Sequence, residues 1–505
     1  MRRPHSPLFF HPCAALSTFL KKIIAMVTFV LSLIALFVGY LFYGTFVEKV
    51  FRPDTNRTAP CFSHADGVDY IPLPSWKVFL IQFLNIAGTG PIFGAIMGIL
   101  FGPAAYLWIV FGSIFAGAVH DYLCGMVSMR QGGATLPEIA GRELGRGALI
   151  FSRIFTIVLL VLVSAVFVVT PASLLCTFTP EWGILATPMG WCAIIFVYYI
   201  LATVLPINQL IGRIYPIFGL ALLVMAVGIG FCIFTKEGWM PELSDGLSGH
   251  HPKDIPVFPM LCITIACGAI SGFHATQSPL MARCLQNERL GRPIFYGSMI
   301  TEGIVALVWA AAAIKFAGSY EALAALGNPS IVVNNVCTSW LGTLGAVLAI
   351  LGVVAAPISS GDTALRSARL TAAEMMGFNQ HKLWRRLAVS LPLFALCALL
   401  MCIDFSVLWR YFAWCNQSLA CLTLWAVTVW LERSGRFFWI AFLPAVFMTL
   451  VVTAYILVAP EGFSLPQLPS VAAGLVAAAL SVLIFFRWKR KFAARKAAEK
   501  QEPTA

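Results

Sequence analysis

Ionisable side chains inside long apolar segments are the residues of this sequence that could do chemistry. Asp121, His274 and Glu302 each lie within such a segment. A charged group at the centre of a bilayer costs roughly 3 kcal/mol or more, so each is a candidate site residue that could carry a proton or bind a charged solute. The plain alternatives are an interfacial pair between Asp121 and Arg130, and a structural histidine at His274.

A second group of polar residues follows an apolar segment in the sequence APISSGDTALRSAR. Ser359, Ser360 and Asp362 stand at the predicted end of a helix, where unwound backbone and side-chain oxygens could bind a cation or accept a proton. Arg366 lies four residues after Asp362, so a helical ion pair is the alternative. The candidate coupling residues are therefore Asp121, Glu302, Ser359, Ser360 and Asp362.

Glycine interrupts two apolar segments that are otherwise long enough to cross a membrane. The first contains Gly88, Gly90 and Pro91, and the second contains Gly268 and Gly272. In a helix, glycine costs about 1 kcal/mol and proline about 3 kcal/mol relative to alanine, so both segments are predicted to unwind there. Unwound backbone at membrane depth must face protein or a water-filled cavity. Close helix contact through small residues is the alternative.

Polar groups beside these breaks are expected to contact a solute. Gln82 and Asn85 are three residues apart and share one helix face, which points toward the first break. The candidate substrate-binding residues are Gln82, Asn85, Gly88, Thr89, Gly90, Ser271, Gly272, His274 and Thr276.

The composition indicates a polytopic membrane protein. Of 505 residues, 59% are hydrophobic and 11% are charged, against roughly 25% charged in a soluble domain. The net charge of +12 lacks the basic, aromatic-rich soluble patch of a nucleic-acid-binding protein. The 14 cysteines form no CxxC pair, so neither a disulfide framework nor a metal site is expected.

Apolar runs predict an all-α fold with about thirteen transmembrane helices, numbered here as spans 0 to 12. They cover residues 23–45, 76–101, 103–124, 150–176, 190–205, 213–235, 256–280, 294–316, 338–361, 386–403, 411–431, 437–459 and 469–487.

The basic residues predict the orientation of these spans. With the C-terminus in the cytoplasm, 26 of the 34 basic residues lie on the inner side, as the positive-inside rule requires. Four of the outer eight lie in residues 1–25, a predicted N-terminal extension, so Met1 and Met26 are the two alternatives for the native start. A signal peptide is the alternative, but no cleavage site follows the apolar run. Residues 26–487 form the predicted transporter domain, and residues 488–505 a basic cytoplasmic tail.

The two breaks are five spans apart, in span 1 and span 6. Because five is odd, the two spans cross the membrane in opposite directions. Two inverted repeats, with discontinuous helices whose N-termini meet an anionic substrate at the midplane, are typical of secondary transporters. The predicted repeats are residues 76–235 and 256–431.

Four segments resemble signature sequences of the carbon starvation protein A family. They are DGVDYIPLPSWKVFLIQFLNIAGTGPIFG, GAVHDYL, TIACGAISGFHA and SSGDTALRSAR. The resemblance runs in order from about Met26 to the end, and this chain is similar to the short members of the family.

The resemblance implies a transporter of the amino acid, polyamine and organocation superfamily. Its fold would be the inverted five-plus-five core of the leucine-transporter type, here spans 1 to 10. The substrate carboxylate would meet residues 88–90 and 271–274, and a sodium site of many relatives would map to Ser359 and Ser360. Family members are associated with bacterial inner membranes and with uptake of peptides, or of pyruvate with protons.

The expected function is therefore secondary active import of a small carboxylate, with pyruvate ahead of short peptides because few acids stand ready for a peptide ammonium group. Protons are preferred to sodium as the coupling ion, since a sodium-only site would not need Glu302 and Asp362. No cofactor is expected. A channel would need polar rings or a filter motif, and an enzyme or sensor would need a nucleophile with its base or a soluble domain.

Overall fold

A computed structural model describes residues 26–67, 69–204, 208–378 and 383–499 of the chain. Within these ranges all regular secondary structure is helical, as the hydropathy predicts. The predicted extension 1–25 lies outside the described residues, as do residues 500–505 of the predicted tail.

Nineteen helices follow one another in the described ranges, besides short 3₁₀ turns at Gly183–Ala186 and Leu243–Asp245 and a π-helical segment at Ile350–Ala355. They are α1 (Val27–Phe51), α2 (Pro60–Ser63), α3 (Ser75–Ala87), α4 (Gly90–Phe101), α5 (Ala104–Arg130), α6 (Leu136–Leu144), α7 (Arg146–Phe178), α8 (Pro188–Val204), α9 (Asn208–Thr235), α10 (Val257–Thr264), α11 (His274–Ala282), α12 (Glu288–Ala317), α13 (Tyr320–Ala325), α14 (Pro329–Ala349), α15 (Ala356–Met376), α16 (Leu383–Leu400), α17 (Phe405–Arg433), α18 (Trp439–Val458) and α19 (Gln467–Glu499).

Nine helical stretches in the described ranges are long and apolar enough to cross a membrane, and ten if α3 and α4 form one span bent by 44°. The other three predicted spans also contain helices, namely α8, the pair α10 and α11, and α16. Each of these four helices has 18 residues or fewer. The chain is thus an all-helical integral membrane protein.

Burial separates a central group of helices from peripheral ones. The most apolar windows of α5, α7, α12 and α17 are 72% to 83% buried, whereas that of α19 is only 22% buried. The exposed side chains of α19 include large apolar residues such as Leu480 and Leu483, which suit contact with lipid. These four central helices therefore enclose much of the interior in which a buried site can lie.

Three predicted helix ends are wrong. Span 2 was expected to end at residue 124, but α5 continues to Arg130, and span 8 was expected to end at residue 361, but α15 continues to Met376. The polar residues there do not unwind the backbone, because hydroxyls such as that of Ser359 donate to carbonyls of their own helix. The last helix runs through the basic residues to Glu499 without a boundary at residue 487.

Candidate functional site

The helical breaks predicted from glycine are present and lie side by side. α3 ends at Ala87, and α4 begins at Gly90 after a non-helical Gly88. The second break separates Thr264, the last residue of α10, from His274, the first of α11. A Cβ atom on Gly90 would lie 2.5 Å from the Cβ of Cys267, so the breaks touch only because Gly90 has no side chain.

The helix α5 covers the second break and satisfies its backbone. The Ser113 hydroxyl donates to the carbonyl of Gly268 at 3.0 Å, and the Trp108 indole donates to the carbonyl of Ile265 at 2.9 Å. A Cβ atom on Gly117 would lie 2.2 Å from the carbonyl oxygen of Ala269. The unwound segment therefore faces protein here, as buried polar backbone must.

Asn416 of α17 fixes the other side of the same break. Its amide nitrogen donates to the Ser271 hydroxyl at 2.9 Å, and its amide oxygen accepts from the backbone of Phe273 at 2.6 Å. Its own carbonyl accepts from the backbone of Gly272 at 3.1 Å. Asn416 was not among the residues predicted from the sequence, although an Asn-Gln pair inside an otherwise apolar span is a signal that could have found it.

A buried cluster of acids and histidines lies directly beside the second break. Asp121 accepts hydrogen bonds from Nδ1 of His120 at 2.7 Å and from Nδ1 of His274 at 2.9 Å, one on each carboxylate oxygen. Nε2 of His274 lies 3.4 Å from a carboxylate oxygen of Glu302. The cluster thus joins α5, α11 and α12 through residues distant in sequence.

No side chain of this cluster is exposed to solvent. Both carboxylate oxygens of Glu302 and Nε2 of His120 are buried without a hydrogen-bond partner. Buried charges without partners cost several kcal/mol, so such a group is expected to have a function. The alternative considered for Asp121, an interfacial pair with Arg130, is not formed, because Asp121 is enclosed and Arg130 pairs with Glu288 at 2.8 Å.

His274 was predicted to contact the substrate beside the second break. Instead, Nδ1 binds Asp121 and Nε2 faces Glu302, and the side chain is fully buried. In the described part of the chain, no group of three His, Cys, Asp or Glu residues has the geometry of a metal site.

The other candidate substrate residues lie around the two breaks and are mostly buried. Gln82 donates to the Ser278 hydroxyl at 3.1 Å and so links α3 to α11. The Thr89 hydroxyl lies 3.5 Å from that of Thr170 on α7. Asn85 is 7% exposed. A Cβ atom on Gly88 would lie 2.7 Å from the ring of Phe167, which leaves room for no other residue type without a shift.

Thr276 is the partly exposed member of the candidate substrate set. It lines a cleft of about 200 Å³ between α7, α11 and α15. Arg153 and Arg283 line the same cleft, together with Glu374. Arg283 in this cleft therefore lies at the opposite end of α11 from His274 of the acid and histidine cluster.

Ser359, Ser360 and Asp362 form a separate group on α15. They lie in regular helix rather than beside unwound backbone, which corrects that expectation. Asp362 is 1% exposed and lies 3.4 Å from Arg366, the helical ion pair considered as an alternative. The Ser360 hydroxyl and one oxygen of Asp362 are buried without a hydrogen-bond partner. The structure thus does not join this group to Asp121, His274 and Glu302.

Comparisons with known proteins identify the family. The family model described as Carbon starvation protein CstA matches residues 24–189 and 179–340. An uncharacterized membrane protein of Haemophilus influenzae is 46% identical over 345 residues, which are 59% of this chain and 93% of that protein.

Two relatives carry transporter names. The peptide transporter CstA of Campylobacter jejuni is 29% identical over 378 residues, which are 60% of this chain and 52% of that protein. The pyruvate/proton symporter BtsT of Escherichia coli is 28% identical over 352 residues, which are 57% of this chain and 48% of that protein. The chain spans about half the length of these two transporters.

Solved transporter structures share the fold. A mutant of the manganese transporter of Eremococcus coleocola is 14% identical, with a TM-score of 0.52 over 85% of this chain and 99% of that chain. A Na⁺-coupled sialic acid symporter is 13% identical, with a TM-score of 0.51 over 91% of this chain and 97% of that chain. The similar proteins are transporters rather than enzymes, and the chain belongs to the carbon starvation protein CstA family of membrane transporters.

Proposed function

We propose that this protein is a secondary active importer that carries a small carboxylate, first of all pyruvate, into a bacterial cell together with protons. The buried cluster of Asp121, His274 and Glu302 carries this proposal. In this view the chain crosses the inner membrane thirteen times, with its C-terminus in the cytoplasm, and α3 to α17 form two inverted repeats of five spans.

Support for the repeats comes from the two breaks. α4 begins at Gly90, which touches Cys267 in the second break, and α11 begins at His274, where that break ends. Two half-helices thus begin at the two adjoining breaks. Helix N-termini carry partial positive charge and free N–H groups, which suit an anionic substrate. We assign the carboxylate of the substrate to this point, between residues 88–90 and 271–274.

Support for proton coupling comes from the order of the hydrogen bonds. Because Asp121 is an acceptor, it holds the His274 proton on Nδ1 and leaves Nε2 with a lone pair that faces Glu302. One proton can then reside either on Nε2 of His274 or on the carboxylate of Glu302. The pair is thus able to load and release a proton without losing its other contacts.

The position of the cluster can link proton binding to movement. His274 is the first residue of α11, which begins at a break, whereas Asp121 and Glu302 lie within the continuous helices α5 and α12. A tilt of α11 would therefore pull His274 away from one or both carboxylates. Adding a proton to Glu302 removes one buried charge and changes the free energy of that separation, which is what coupling requires.

Peptide import is the second candidate. Relatives with the names peptide transporter CstA and pyruvate/proton symporter BtsT match this chain about equally well. A zwitterionic peptide needs an acid for its ammonium group as well as a cationic subsite. Of the two buried acids beside the second break, Asp121 already accepts two hydrogen bonds and Glu302 faces His274. We take both to be engaged within the cluster, which favours a monocarboxylate.

Uptake by cells that express this chain tests the proposal. We expect labelled pyruvate to accumulate against its gradient, with loss of accumulation when a proton uncoupler is added. An excess of unlabelled dipeptide should leave pyruvate uptake unchanged. Uptake of dipeptide that pyruvate does not inhibit would support the peptide alternative, and uptake that needs sodium and ignores uncouplers would move the cation to Ser359 and Ser360.

A further inference from the structure

The cleft between α7, α11 and α15 has a charge pattern that the proposed function does not use. Three charged residues line it, Arg153, Arg283 and Glu374. Nη2 of Arg153 lies 2.5 Å from a carboxylate oxygen of Glu374, so these two charges neutralise each other. Arg283 forms no ion pair with any carboxylate of the described residues, and its Nε donates to the carbonyl of Gly133 at 2.9 Å.

A buried hydroxyl also points to a ligand in this cleft. Thr156 lines the cleft, is 4% exposed, and its hydroxyl has no hydrogen-bond partner. Buried hydroxyls are normally paired with protein or water, so an unpaired one beside a cavity marks a place for a polar ligand. Leu160, Pro279 and Leu280 provide apolar walls.

The volume and the charge favour a small anion. About 200 Å³ is less than the roughly 300 Å³ at which pockets for drug-sized ligands begin. An incoming carboxylate would find the guanidinium of Arg283 without an acidic competitor. An ammonium group would find only Glu374, which Arg153 already occupies. The cleft thus suits a monocarboxylate better than a zwitterion.

The cleft also lies on a path from the proposed substrate site. α11 begins at His274 in the acid and histidine cluster, and Arg283 follows its last residue. Nine helical residues correspond to about 14 Å of rise. Thr276 and Leu280 line the cleft between these two points.

We propose that this cleft is a release site for the carboxylate substrate, with Arg283 as its counter-ion and the Thr156 hydroxyl as a hydrogen-bond donor. The Arg153 and Glu374 pair flanks the site and limits its positive charge. This inference rests on the proposed function, since it takes the cleft to face the cytoplasm and the substrate to be a small carboxylate.

Transport of labelled pyruvate from each side of the membrane tests the release site. In inside-out vesicles, Arg283→Gln should raise the half-saturating pyruvate concentration about tenfold or more, as expected for loss of a charge-assisted hydrogen bond. In right-side-out vesicles the half-saturating concentration should change less than about twofold, because the outer route does not use the cleft. Arg289→Gln, at an exposed arginine near the start of α12, is the matched control.

A second variant should act in the opposite direction. Glu374→Gln frees Arg153 and adds an unpaired cation to the cleft, so the inner half-saturating concentration should fall. General damage to the protein would not improve affinity. If the half-saturating pyruvate concentration in inside-out vesicles is unchanged in both variants, the release site is overturned while the proposed transport function stands.

Equilibrium binding of labelled pyruvate to the purified protein in detergent separates the two proposals. Binding that Arg283→Gln weakens, in a protein that transports neither pyruvate nor dipeptide, would support the cleft and overturn the proposed function. Transport of pyruvate together with binding that does not depend on Arg283 would support the proposed function and overturn the release site.

Discussion

Two buried acids of this protein sit in opposite chemical settings. Glu302 on α12 faces an imidazole, that of His274, and both its oxygens lack a hydrogen-bond partner. Asp362 on α15 faces a guanidinium, that of Arg366, four residues along the same helix. Both side chains are nearly or fully enclosed, so depth alone does not separate them.

The partner decides what each acid can do. Arginine stays protonated under all physiological conditions, so the pair of Asp362 and Arg366 keeps a fixed charge balance. An imidazole, unlike a guanidinium, exists in a neutral and a protonated form, so the pair of Glu302 and His274 can change its charge during a transport cycle. We therefore propose a role in coupling for Glu302 and a structural role for Asp362.

The largest expected effect is that of removing titration at Glu302. Glu302→Gln keeps the size of the side chain but cannot carry a proton, so uphill accumulation of pyruvate should fall to equilibration, while exchange of labelled for unlabelled pyruvate continues. Asp362→Asn is the matched control and should still accumulate pyruvate. Loss of accumulation in Asp362→Asn with normal pumping by Glu302→Gln would reverse the assignment.

A smaller loss is expected when the histidine loses its orienting acid. In Asp121→Asn the amide can donate as well as accept, so His274 is no longer held with its proton on Nδ1. Coupled uptake should drop about tenfold or more, which corresponds to at least ~1.4 kcal/mol. Initial rates of pyruvate uptake at several external pH values measure this loss. A rate equal to that of wild type would show that Asp121 contributes packing but does not orient His274 for coupling.

Close packing around the cluster predicts a stability effect. Gly117→Ala places a Cβ atom against the carbonyl oxygen of Ala269 and should lower the free energy of unfolding by about 1–3 kcal/mol. The control Gly230→Ala meets its nearest neighbour, Val308, at 3.8 Å, an ordinary contact. Thermal unfolding in detergent compares the two variants. Equal unfolding temperatures would mean that the second break can shift to accommodate the added Cβ atom.

The smallest effect is expected at an arginine-paired acid outside the membrane spans. Glu143 on α6 lies 3.3 Å from Arg433, and burial raises the pKa of Glu143 while Arg433 opposes the rise. The folded protein then binds this proton more tightly than the unfolded chain, so above about pH 4.3 the carboxylate lowers stability as pH rises toward the folded pKa.

Glu143→Gln removes this dependence without touching the transport cycle. The stability of wild type relative to the variant should therefore decline between about pH 4.3 and neutral pH, and pyruvate accumulation should be normal. Thermal unfolding across this pH range, with accumulation measured in parallel, checks both statements. A change in pyruvate accumulation by Glu143→Gln would mean that an arginine-paired acid also takes part in coupling. That result would contradict the contrast drawn between Glu302 and Asp362.

Local features of the structure could be predicted from the sequence. The breaks at Gly88 and between Thr264 and His274 follow from the helical cost of glycine, which depends only on the residues present. The depth of Glu302 follows from hydropathy in the same way. The helix ends after Asp121 and Asp362 were wrong because short polar side chains can satisfy themselves within a helix, which a hydropathy count does not register.

Contacts between distant segments could not be predicted. Asp121 and His274 are 153 positions apart, and no pattern within one span states that α5, α11 and α12 meet at one point. Asn416 went unnoticed for the same reason, since its importance lies in the break that it stabilises on another helix. Depth in the membrane predicted which acids are costly to bury as charges, and only the packing shows which partner each acid has.

Proton flux during substrate movement shows directly whether Glu302 and His274 couple pyruvate transport to protons. Purified protein in liposomes with an internal pH dye would receive labelled pyruvate from outside, with counterflow of the label recorded in the same sample. Wild type should acidify the interior as pyruvate enters, and Glu302→Gln should show counterflow without acidification. Acidification by Glu302→Gln at the wild-type ratio of protons to pyruvate would contradict the assignment of coupling to Glu302 and His274.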